Sequence, residues 1–137
     1  MIFFGVRNGV KPIRILHSIA TGLIGRDRAI SGGIKTALLG LFLHFLIAFI
    51  MATVFYFLSL ALPILIRRAI IWGMIYGVAC YFAMTYVVLP LSAVPPRTGP
   101  IPWAVFLNGV IGHALLVGLP IALLARRSTK RSDRISA

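Results

Sequence analysis

Three polar side chains could do chemistry here, because each lies inside a long uncharged stretch: His44, Asn108 and His113. Ionisable and strongly polar groups within a membrane mark binding or transfer sites by default. His44 stands seven residues past Ala37 and Asn108 seven past Ile101, at similar depth if their helices run in the same direction. His113 lies about 7 Å further along the helix than Asn108 and about 140° around it, so the two cannot face one partner squarely. Two readings follow. In one, His44, Asn108 and His113 bind a cofactor: haem through two imidazoles, or a quinone or lipid headgroup through hydrogen bonds. In the other, they hydrogen-bond between helices and fix the fold, each contact worth roughly 0.6–2 kcal/mol. No Cys-x-x-Cys-His attachment motif is present, so no motif calls for a cofactor. His17 lies outside the uncharged stretches and reads as an interfacial residue.

Other chemistries lack their residues. The chain has two acids, Asp27 and Asp133, and both fall outside the uncharged stretches. That removes paired carboxylates for acid–base work, an intramembrane carboxylate for proton coupling, and an acidic cluster for a hard cation. Cys80 is the single cysteine, so an intramolecular disulfide or a cysteine-based zinc site is excluded, and it reads as a small packing residue. Neither Gly-x-Ser-x-Gly nor a phosphate-cradling Gly-x-x-x-x-Gly-Lys-Ser/Thr occurs. Enzymatic activity, catalytic residues and a metal site are therefore not expected.

The elements that must position these residues follow from the charge distribution. The chain has 137 residues, 60% of them hydrophobic, with 14 basic residues and a net charge of +12. An average soluble domain is about a quarter charged. Residues 37–66, 69–96 and 98–125 carry no charge. About 20 apolar residues cross a hydrocarbon core of roughly 30 Å as a helix. The expected fold is all-α: a polytopic membrane helical bundle with three transmembrane helices at 37–60, 69–91 and 102–125. Barrel strands would alternate apolar and polar residues, and residues 41–50 do not. The lipid bilayer is thus the first partner.

An N-terminal segment, residues 1–36, precedes the transmembrane domain of residues 37–125. From Ile13 to Ile24, the residues Leu16, Ile19, Ala20, Leu23 and Ile24 follow helical spacing, with Arg14, His17, Ser18 and Thr21 towards another side. This predicts an amphipathic helix lying at the interface or re-entering the membrane. Gly25 is its expected C-cap, and Ser31 a candidate N-cap for the first span. Trp72 and Trp103 suit the aromatic belts at span ends. Pro90, Pro95, Pro96, Pro100 and Pro102 stiffen the second connection. Residues 126–137 form a basic cytoplasmic tail, expected to be disordered beyond its first turn.

Small residues recur at helical spacing. Gly73 and Gly77 form a Gly-x-x-x-Gly, Ala79 and Ala83 continue it, and Ala114, Gly118 and Ala122 recur every four residues. Such stripes let helices approach closely. Packing within the chain is one use, and an interface with a second copy or a partner subunit through Gly73, Gly77, Ala114, Gly118 and Ala122 is the other.

Orientation rests on basic residues near span ends. Arg67, Arg68, Arg126, Arg127, Lys130, Arg131 and Arg134 lie on one side, against Arg26, Arg28, Lys35 and Arg97 on the other. Adding Arg7, Lys11 and Arg14 evens the totals. The C-terminus is expected in the cytoplasm because its charges abut the helix. Clustered basic residues beside spans serve topogenesis and anionic headgroups, and no recognition motif accompanies them, so no specific nucleic acid is expected.

Several stretches together carry a resemblance: Phe3-Phe4-Gly5, Pro12-Ile13-Arg14-Ile15-Leu16, Gly22-Leu23-Ile24-Gly25, Leu43-His44-Phe45, Trp72-Gly73, Tyr76-Gly77-Val78, Pro90-Leu91-Ser92 and Gly118-Leu119-Pro120-Ile121-Ala122. The chain resembles a group of small, uncharacterised bacterial inner-membrane proteins with four predicted spans. The resemblance implies a bacterial inner-membrane location and a further helix ending near Phe3-Phe4-Gly5, with Met1-Ile2 standing where its last turn would be. The leading functional expectation is a non-enzymatic structural or accessory membrane component. The alternatives are the ligand-binding module above and a small-solute permease, which the lack of ion-coupling residues disfavours.

Overall fold

The computed structural model describes residues 12–95 and 99–135. The Phe3-Phe4-Gly5 motif, the proposed helix before it and Arg97 lie outside the described residues. The elements are helices α1 (Pro12–Ile24), α2 (Arg26–Ser31), α3 (Gly33–Ala61), α4 (Ile64–Arg67), α5 (Ala69–Ala83), α6 (Trp103–His113) and α7 (Leu119–Ile135), with no strand among the described residues. Two wide helical turns, Met84–Val88 after α5 and Ala114–Gly118 between α6 and α7, make the helical runs continuous. Among the described residues, three runs are long and apolar enough to cross a membrane: Gly33–Ala61 with 29 residues, Ala69–Val88 with 20 and Trp103–Thr129 with 27. The chain is an all-α membrane protein, with three transmembrane helices among its described residues.

Local chemistry sets most boundaries. Gly25, between α1 and α2, takes φ +80, and Gly33, which opens α3, takes φ +57. Both values lie in the left-handed region where a Cβ is costly. Ser31 ends α2 and does not cap the first span, because its hydroxyl turns back towards the Arg28 carbonyl. Pro63 precedes the single turn of α4, and the Pro102 carbonyl accepts the Val105 and Phe106 amides at the start of α6.

Each wide turn ends two residues before a proline, Pro90 or Pro120. The Leu89 amide donates to the Met84 carbonyl at 2.9 Å, five residues back instead of four. The Leu119 amide does the same to Ala114. A proline inside a helix has no N–H and pushes its ring against the carbonyl four residues earlier. Widening the preceding turn moves that carbonyl aside and lets the third span continue through Pro120. The tail differs from expectation: α7 stays helical through Ile135. It starts inside the membrane, so its basic end extends a helix already nucleated, and cations suit a helix C-terminus.

The chain divides into two compact units, residues 1–48 with 82–108 and residues 49–81 with 109–137. In the first, α1 crosses α3 at Gly40, where a Cβ would overlap the Leu16 carbonyl oxygen and stand 3.3 Å from the Ala20 amide. Ala20, Thr21, Ala29 and Ala37 are buried. This revises the expected faces of α1: Thr21 is buried, its hydroxyl donating to the His17 carbonyl at 2.9 Å, whereas Leu23 is 60% exposed. Close approach at Gly40 selects the small side of α1, and a hydroxyl that bonds its own helix can be buried there. The connection after the second span is tied to the same helix, because the Ala93 amide donates to the Gly22 carbonyl at 2.9 Å.

In the second unit, the glycines of α5 meet the small residues of the third span. A Cβ on Gly73 would come within 2.7 Å of the Ala122 Cβ, and one on Gly77 within 2.6 Å of the Ala114 Cα. Phe55, Leu65, Ala69 and Ala122 form the buried core beside them. The stripe of Gly73, Gly77, Ala114, Gly118 and Ala122 therefore packs within the chain, while Ala79 and Ala83 stay exposed.

Candidate functional site

His44 and Asn108 fall in the first unit and His113 in the second. Within the first unit, no hydrogen bond joins His44 to Asn108. Asn108 is half-buried, five residues into α6.

His44 holds an unusual position. It shares its side of α3 with Ala37 and Gly40, which stand about 20° and 40° from it at 100° per residue. Both are buried, whereas His44 is exposed. The packing of α1 that covers this side ends before it. Its ring makes an edge contact with Phe45 at 5.9 Å between centroids, and no described residue hydrogen-bonds its nitrogens.

His113 is the opposite case. Its Nδ1 donates to the Gly109 carbonyl one turn back at 2.9 Å, and its ring lies edge-on to Tyr81 at 5.4 Å. Gly109 makes this possible, since a Cβ there would run into the Tyr81 ring. With the proton on Nδ1, Nε2 carries the lone pair and is the acceptor or ligand atom. Cys80 is buried nearby in sequence. No group of three or more His, Cys, Asp or Glu residues that could hold a metal occurs among the described residues.

No family model, curated protein or solved structure matches this chain. The site is therefore read from its own geometry.

Two polar contacts were not anticipated from the sequence. Tyr76 donates its hydroxyl to the Met51 carbonyl at 2.6 Å, linking α5 to α3, and its ring packs on Phe55 at 5.0 Å. Its place between Gly73 and Gly77, where helices come close, was the available signal. His17 is half-buried, its Nε2 donating to the Gly33 carbonyl at 2.8 Å. That bond satisfies a carbonyl at the left-handed glycine that opens the first span. The nearby pair Gly32-Gly33 was the only hint in the sequence.

Proposed function

We propose that the protein is a non-enzymatic accessory component of a bacterial inner membrane that packs against another membrane protein through the His44 side of α3. The observation behind this reading is the exposed imidazole on an otherwise packed side of a transmembrane helix. A polar group left unbonded in hydrocarbon costs several kcal/mol. A partner side chain offered beyond the stretch that α1 covers supplies the missing bond. Orientation with the C-terminus in the cytoplasm belongs to the same reading.

A photo-crosslinking residue at Leu41 or Ala48, the positions flanking His44, tests it in native membranes. A discrete adduct with a second protein is expected, and lipid adducts alone from both positions would overturn it.

The same free imidazole supports a second reading, a ligand-binding module in which His44 is a ligand. Its haem form predicts a Soret band in the purified protein that disappears in His44→Ala. A colourless protein from haem-replete cells would dismiss that form. A permease role predicts solute uptake that depends on the protein, and unchanged uptake in a deletion strain would remove it.

A further inference from the structure

The second unit gathers arginines at one end. The α3–α5 connection turns within a few residues: the Arg67 amide donates to the Pro63 carbonyl at 3.1 Å and the Arg68 amide to Ile64 at 3.0 Å. Leu65, in the same turn, is buried with Ala122, and α4 packs against α7. Arg126 lies one turn beyond Ala122, about 40° from it around α7 at 100° per residue. It is half-buried, as its place on the packed side requires. Arg127 stands about 140° from Ala122, outside that side, and is exposed. Among the described residues, none of the guanidiniums of Arg67, Arg68 and Arg126 has a hydrogen bond or ion pair.

We propose that Arg67, Arg68 and Arg126 form a binding site for the headgroup of an anionic phospholipid. Three observations select this occupant. All three arginines lie where uncharged spans end, which is headgroup depth. Trp72, whose amide donates to the Arg68 carbonyl at 3.1 Å, marks the same level with a belt-type aromatic. Guanidinium forks match phosphate oxygens in geometry as well as charge. Packing of α4 on α7 brings the segments that carry these arginines together before the lipid arrives, so less ordering is needed on binding. The site does not depend on the accessory role.

The test is lipid retention by the purified full-length protein in neutral detergent, read by native mass spectrometry with phosphatidylglycerol and phosphatidylcholine as probes. Wild type is expected to retain phosphatidylglycerol in preference to phosphatidylcholine. Arg126→Gln should weaken that retention about tenfold, the size of one charge-assisted hydrogen bond. Arg127→Gln removes the same charge at the same level and should weaken it about twofold or less. Equal losses in the two variants would reduce the effect to a general positive field and overturn the site. Equal retention of the two lipids by wild type would overturn it as well. So would an oligonucleotide that binds where phosphatidylglycerol does not. If Arg126→Gln fails to insert, Arg126→Lys preserves the topogenic charge but not the fork. It should bind more weakly than Arg127→Lys, and equal binding by those two variants rejects the proposal.

Discussion

Inside the spans, a polar side chain either finds an acceptor within the chain or is left facing outward, and the two cases respond differently to substitution. Tyr76 is bonded to the Met51 carbonyl at 2.6 Å. Tyr76→Phe keeps the ring on Phe55 and removes that bond, so it should destabilise the protein by about 0.6–2 kcal/mol in reversible unfolding in detergent. No change would mean that the bond contributes nothing. His44 makes no such bond. His44→Leu should leave the isolated protein at least as stable as wild type in detergent, because it removes an unbonded polar group from an apolar surface, yet abolish the crosslinked adduct. His44→Gln, which still bonds, should preserve the adduct. A large destabilisation of the isolated protein by His44→Leu would place the imidazole's partner inside the chain. The histidines and Asn108 were legible as candidates because polarity in an uncharged stretch stands out. Tyr76 was not, because its ring belongs to the apolar pattern and only its hydroxyl carries the bond.

Among the helices, glycine marks crossings and proline marks widened turns, and these two signals differed in how much they revealed. Gly73 and Gly77 announced a close approach in the sequence, and the structure supplies the opposing surface, Ala114, Gly118 and Ala122. Gly40 gave no such notice, since it stands alone in an apolar run and its partner, α1, was expected to bury a different side. The wide turns were equally hidden. Pro90 and Pro120 were visible, but a proline near a span end fits helix termination as well as continuation through a bulge. Gly77→Leu measures how much the α5 crossing matters. Its new side chain would meet the His113 carbonyl and the Ala114 Cα, and neither backbone atom can yield without moving a helix. Loss of about 1–3 kcal/mol or more is expected from overpacking, against little change for Ala79→Leu, whose site is exposed. Similar losses at both sites would show that the crossing is not the constraint.

Across the whole chain, charge and apolar length fix how it sits in a bilayer. The span limits were readable from the uncharged stretches alone, because lipid penalises charge more strongly than any local propensity shapes a helix. Where the last helix itself ends was not readable, because α7 continues to Ile135 past its first basic residues. That continuation bears on orientation. Arg126 and Arg127 follow the last apolar turn directly, and Arg67 and Arg68 close the first connection. Translocating this end would carry both pairs across the membrane, with Lys130, Arg131 and Arg134 behind them. In the proposed orientation these basic residues near span ends stay in the cytoplasm. A fluorescent reporter fused after Ala137 should therefore glow and a phosphatase there should stay inactive, with the pattern reversed for insertions after Gly99. An active phosphatase at the C-terminus would invert the topology. It would also assign the dominant signal to the other set, Arg7, Lys11, Arg14, Arg26, Arg28, Lys35 and Arg97, which is equal in number.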